Sequence, residues 1–170
     1  CSRVLIEDVT LENSPAWNVH PYFCHDLTVR NAVISNPYYA QNGDGIDVDS
    51  CERVEIHHCS FNVGDDGICI KSGKNKEARK ILGPSKDIYI HNCYVGFSHG
   101  GFVIGSEMSR GVSNVLVEDC TFVNSDVGVR IKSALGRGGI VENIEIRRVN
   151  MLNIKEEAVI LNMDYVHNIM

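Results

Sequence analysis

Aromatic residues are scarce in this chain: one tryptophan, five phenylalanines and six tyrosines supply 7% of its 170 residues. A core made from it must rest on small and β-branched side chains. There is no excess of positive charge either. Sixteen Lys and Arg stand against 22 Asp and Glu, and the net charge of −6 excludes a general nucleic-acid surface. No stretch approaches the roughly 18 apolar residues of a membrane span. Seven cysteines occur without a C-x-x-C pair, so zinc-ligand spacing is missing. No window sustains a helical apolar period, and no signal-peptide pattern opens the chain.

What is present is a repeat. The runs Val4–Ile6, Leu27–Val29, Val54–Ile56, Ile88–Ile90, Val115–Val117 and Ile144–Ile146 recur at intervals of 23, 27, 34, 27 and 29 residues. Each continues into a similar hexapeptide: IEDVTL, VRNAVI, IHHCSF, IHNCYV, VEDCTF, IRRVNM. A second run follows in each copy, clearest as GIDVD, GICIK, GFVIG and GVRIK, with the weaker AWNVH first and AVILN last. Period-two alternation, β-branched residues and glycines at the turns read as strands. Two or three short strands per repeat of this length predict an all-β fold, a right-handed single-stranded parallel β-helix of about six coils. Successive coils then stack about 4.8 Å apart.

Val9, Ala32, Cys59, Cys93, Cys120 and Val149 share one repeat position, which predicts an interior ladder of small side chains with its cysteines reduced. The pattern begins and stops without a cap. Residues 1–170 are therefore expected to be one β-helix segment from a longer chain.

Stacking converts the repeat into a spatial map. In the second run, Ile46/Val48, Ile68/Ile70, Phe102/Ile104 and Val129/Ile131 point inward. Their alternates form two outward columns: Asp47, Cys69, Val103, Arg130, and Asp49, Lys71, Gly105, Lys132. In the preceding turn, Asp44, Asp66, Gly100 and Val127 share a column, beside Gly43, Asp65, His99 and Asp126. Asp44, Asp65, Asp66, His99, Arg130 and Lys132 thus converge on one exposed face across roughly 15 Å. Asp and Gly in turns ordinarily do turn chemistry, which suffices for Asp47, Asp49 or Asp126 taken singly. Three clustered carboxylates repel, however, and Asp44, Asp65 and Asp66 together point to use. One of the three should have a raised pKa and keep a proton.

The ordered segments Asn42-Gly-Asp44, Gly64-Asp65-Asp66, Ser98-His99-Gly100 and Arg130-Ile-Lys132 resemble the motifs of glycoside hydrolase family 28, the polygalacturonases and their relatives. The resemblance covers essentially the whole chain. It implies inverting hydrolysis of α-1,4-linked galacturonate in polygalacturonan or pectin, without metal or cofactor. It further implies Asp65 as the general acid, Asp44 and Asp66 as the residues activating water, and His99 as support for the acid. Arg130 and Lys132 would hold the substrate carboxylate. Asn42 opens the first motif on the substrate side, Tyr165 is the candidate subsite tyrosine, and Lys71, in the Lys132 column, extends the cationic floor. Gly43 stands where the family usually has Thr, and Ser98 where it usually has Gly. The run Gly100–Ser109 leans toward exo action. The implied partner is polygalacturonate or an oligogalacturonide, and the implied location is extracellular or periplasmic.

Two features lie outside the motifs. The loop Gly73–Lys86 carries Lys74, Lys76, Arg79, Lys80 and Lys86 against Glu77 alone, a solvated face or a guide for a polyanion. The insertion Asn36–Gln41 offers Tyr38 or Tyr39 as a sugar platform or as packing. Two alternatives stay open on the residues. A pectate-lyase-like enzyme would use the acids as calcium ligands and release an ultraviolet-absorbing product. A non-catalytic carbohydrate-binding solenoid would leave the clustered acids without a task. The sequence carries no indication of oligomeric state.

Overall fold

Six of the repeated runs become the six strands of one parallel sheet. A computed structural model describes residues 1–81 and 83–165. In it Ser2–Glu7, His25–Arg30, Glu52–His57, Ser85–His91, Val112–Glu118 and Val141–Arg147 lie side by side in that order. The register is the one the repeat predicts: Val4 pairs with Leu27, Leu27 with Val54, Val54 with Ile88, Ile88 with Val115, and Val115 with Ile144. A second parallel sheet collects the short strands Thr10–Glu12, Val33–Ser35, Ser60–Asn62, Tyr94–Phe97, Thr121–Val123 and Asn150–Leu152. The third holds Ile46–Asp49, Asp66–Lys71, Gly100–Gly105, Val127–Lys132 and Val159–Asn162. The first coil joins it through the bridges Val19–Ile46 and Tyr22–Asp49. The result is a parallel β-solenoid of about six turns.

Because strands pair between coils, each coil must turn back on itself at fixed corners. Between the first and second sheets, every coil turns through one residue in the left-handed region: Asp8, Asn31, His58, Asn92, Asp119 and Arg148, with φ between 50° and 55°. Asn and Asp tolerate that conformation best among residues with a side chain. Neighbouring corners also bond to each other, Asn31 Nδ2 donating to Asp8 Oδ1 at 3.2 Å.

The core is a stack of aliphatic layers with few rings. Ile46, Ile56, Ile68, Ile70, Ile90 and Ile104 are fully buried, and Phe61, Phe102 and Phe122 are its largest fully buried side chains. The ladder of small residues is in place: Tyr94 N donates to Cys59 O, Thr121 N to Cys93 O and Asn150 N to Cys120 O. Cys59, Cys93 and Cys120 are buried, and all seven cysteines are free thiols.

Among the described residues one helix appears, Asn75–Arg79, inside the basic loop. Five residues are too few to leave a period in the sequence. The loop's Lys74, Lys76, Arg79 and Lys80 are exposed, with Lys80 paired to Glu77 and Lys86 to Glu52 at 3.5 Å. Leu82 lies outside the described residues. The insertion leaves Tyr38 and Tyr39 about three-quarters exposed, in edge-to-face contact at 5.3 Å.

Candidate active site

The third sheet carries the acids. Asp66 pairs with Gly100, and Gly100 with Val127, while Gly45 N donates to Asp66 O at 2.9 Å, so Asp44 and Asp66 occupy adjacent coils of one column. Their closeness depends on Gly45. A Cβ there would lie 2.4 Å from the Gly67 carbonyl oxygen, so any side chain would push the two coils apart. In the neighbouring column His99 N donates to Asp65 O at 2.8 Å, and Val127 N donates to His99 O at 3.0 Å. Asp65 and Asp66 are successive residues, so their side chains diverge: Asp66 meets Lys132 and Asp65 meets His99.

Trp17, Asn42, Asp44, Asp65, Asp66, Lys71, Ser106, Glu107, Lys132 and Tyr165 line a single cleft. Seven of the nine residues expected at the site are among them; His99 and Arg130 are not. His99 stands behind Asp65, with Nδ1 3.4 Å from Oδ1 and Nε2 3.9 Å from Asp126 Oδ2. Arg130 lies off the cleft wall, its guanidinium 3.7 Å from Glu156. The expected exposed face is a correction as well. Asp44, Asp66, Lys71 and Lys132 are all at least nine-tenths buried, because Trp17 and the segment around Ser106–Glu107 flank the column and cover it.

Burial reshapes the charges. It pushes Asp44 up to about 9, reinforced by Asp47, Asp66 and Asp65. It pushes Asp47 up to about 7 against the pull of Lys71, 3.3 Å away. Burial also favours protonation of Asp65, but the His99 contact, the charge of His99 and that of Lys132 outweigh it and hold Asp65 below the usual carboxylate range. The same contact raises His99. The acid with the raised pKa is therefore not the one in the general-acid position. The reason is the imidazole, which takes the proton of the pair.

Both lysines keep their charge in spite of burial. Lys132 Nζ donates to Asp66 Oδ2 at 2.8 Å and lies over the Tyr165 ring at 5.1 Å. Lys71 sits between Asp47 and Glu107, at 3.3 and 3.4 Å, with its ammonium 4.5 Å above the Trp17 ring. A positively charged floor under stacked acids, with two rings beside it, suits an anionic sugar.

Residues 1–169 match the sequence profile of glycosyl hydrolases family 28. The chain belongs to that family. Among family 28 relatives, it is 37% identical to a probable polygalacturonase of Vitis vinifera over 89% of the chain and 31% of the relative. It is 33% identical to the exo-poly-alpha-D-galacturonosidase of Dickeya chrysanthemi, over 96% of the chain and 27% of that enzyme. The fold superimposes on the hyperthermoactive exopolygalacturonase of Thermotoga maritima with a TM-score of 0.93 and 40% identity, over 96% of this chain and 37% of the other. The chain thus spans about a third of the length of these family 28 proteins.

Four residues of the cleft or its base escaped the sequence reading: Trp17, Asp47, Ser106 and Glu107. Trp17 had a signal. It lies two residues before Val19, as Asp44 lies two before Ile46, and Val19 pairs with Ile46. Trp17 therefore continues the Asp44 column by one coil. Asp47 was assigned to ordinary turn chemistry, yet it is fully buried against Lys71. Ser106 and Glu107 lie beyond the strand Gly100–Gly105, where the repeat offers no register.

Proposed function

We propose that this chain carries the catalytic centre of a polygalacturonase that hydrolyses α-1,4-galacturonosyl linkages with inversion. The observation that carries the proposal is the division of the acids. Asp44 and Asp66 present oxygens within 4.8 Å of each other, while Asp65 turns away from Asp66 to meet His99. Inversion needs this division: one carboxyl protonates the leaving oxygen while a water, activated on the opposite face, attacks the anomeric carbon. Asp65 is the proton donor, drawing on the proton it shares with His99. Asp44 and Asp66 hold the water. With a proton resting on Asp44, Asp66 accepts the one released by the water.

Lys132, Lys71, Asn42 and Tyr165 seat the sugar and its carboxylate. Arg130 joins them by exchanging the exposed Glu156 for a substrate carboxylate. The names of the Dickeya and Thermotoga relatives favour exo action, with release from a chain end. A polymeric pectic substrate fits an extracellular or periplasmic location. Membership of a hydrolase family favours this reading over the lyase and over a binding solenoid.

Proton NMR of oligogalacturonide hydrolysis by the full-length protein tests the mechanism. The β-anomer should appear first from the α-linked substrate. Initial α-anomer, or an unsaturated ultraviolet-absorbing product, overturns it.

A further inference from the structure

Cys69 has no role in this chemistry, yet it stands at its centre. It belongs to the outward column with Asp47, Val103 and Arg130, not to the interior cysteine ladder, and it is completely buried. Its thiol donates to Gly105 O at 3.5 Å. Ligand atoms of Asp44, Asp66 and Cys69 all lie within 4.8 Å of one another. We propose that these three residues form a binding site for a thiophilic divalent cation, which inhibits the enzyme by taking the place of the catalytic water.

Two independent observations support a cation there. The first is the ligand geometry. Metal–oxygen and metal–sulfur bonds of about 2.0–2.3 Å need the three atoms only slightly closer than they stand, a side-chain adjustment on the order of an ångström. The second is an unmet need. Lys132 occupies Asp66 Oδ2, but Asp66 Oδ1 is buried without a hydrogen-bond partner. A buried carboxylate oxygen left unpaired is costly, and a cation satisfies it.

The ligand set selects the metal. Sulfur is a poor partner for calcium or magnesium, whereas two carboxylates and a thiolate with an open fourth position suit zinc or cadmium. Binding changes no oxidation state. The thiol proton and the proton on Asp44 leave to solvent as the metal–sulfur and metal–oxygen bonds form. Lys132 stays on Asp66 Oδ2, and the metal takes Oδ1.

Binding stands independently of the proposed function, whereas inhibition rests on it, and the experiment separates the two. Cadmium is titrated into the full-length protein while thiolate-to-cadmium charge-transfer absorption and polygalacturonate hydrolysis are both followed. A single equivalent should produce the absorption and stop turnover, with calcium and magnesium doing neither. Cys69→Ser should abolish the absorption and weaken inhibition, relative to its own activity, at least about tenfold. Cys1→Ser, which removes the exposed thiol, should change neither. On the unaltered protein, saturating oligogalacturonide should suppress the absorption, a test that needs no variant to fold. Absorption that persists in Cys69→Ser, that oligogalacturonide leaves untouched, or that is missing from a hydrolytically active protein overturns the site. Absorption in a protein without hydrolytic activity keeps the site and overturns the function.

Discussion

His99 and Asp65 stand one coil apart in the same column, and their side chains meet at 3.4 Å, Nδ1 to Oδ1. The contact moves their two pKa values in opposite directions, His99 up and Asp65 down. One proton therefore belongs to the pair, and the imidazole holds it.

The pair makes a prediction about pH. The proton needed for the leaving oxygen is lost as pH rises through the raised His99 value, so the alkaline limb of kcat/KM should lie above 6.5, the usual histidine value. In His99→Gln, Asp65 titrates without the imidazole and the limb should move to lower pH. Stability follows the same pair. The raised His99 stabilises fully below 6.5 and loses its contribution as pH climbs through its folded value. The lowered Asp65 stabilises fully above 3.8 and loses its contribution as pH falls through its folded value. Denaturation midpoints of His99→Gln should thus differ most from the parent between 3.8 and 6.5. An unmoved alkaline limb would remove His99 from the proton path.

Asp65→Asn should lower kcat by more than about 10²-fold, the scale of general acid catalysis, and leave oligogalacturonide binding nearly intact. Calorimetric titration with a short oligomer, beside turnover on the polymer, separates the two effects. Parent-like turnover would move the acid elsewhere.

Asp44 opposes stability as pH rises. Its folded pKa of about 9 is well above the usual 3.8, so its contribution is complete below 3.8 and is lost as pH climbs through about 9. Asp44→Asn removes the buried charge. At pH 9 it should be more stable than the parent by at least about 1 kcal/mol, since one pKa unit is worth that much. It should also have lost turnover. Equal stability of the two at pH 9 would mean that Asp44 ionises freely.

Lys132 is the counter-charge of Asp66, and both are buried. Lys132→Met leaves the carboxylate uncompensated and should cost about 3–5 kcal/mol in denaturant unfolding. A second reading of the same variant is its preference for galacturonate polymers over neutral galactose polymers, which should shrink.

The solenoid was legible because a coil leaves a period in the chain. Once Leu27, Val54 and Ile88 were aligned, the columns of Asp44, Asp66 and His99 followed by counting, and pairing reproduces them. Counting says nothing about what covers a column. The expected exposure of Asp44 fails, and Lys71 is buried beside it, because the cover comes from Trp17, one coil below, and from Glu107, past a strand end. Nor does it say which of two neighbouring carboxyls keeps a proton. That depends on burial for Asp44 and on an imidazole contact for Asp65. Arg130 was placed correctly in its column, but its preference for Glu156 depends on a residue in the next coil.

The left-handed corners at Asp8, Asn31, His58, Asn92, Asp119 and Arg148 bear on how such a protein tolerates change. A slip of one residue in a strand would exchange its two faces and send Asp44 or Asp66 to the wrong side. Each corner confines such an error to a single coil, because the next strand starts its count afresh from a backbone angle it shares with its neighbours. Coils of 23 to 34 residues therefore coexist with one unbroken catalytic column. Loop length and chemical alignment are inherited separately, so the segments around Tyr38 and the helix Asn75–Arg79 can be remodelled to suit a new substrate while the machinery beneath them keeps its place.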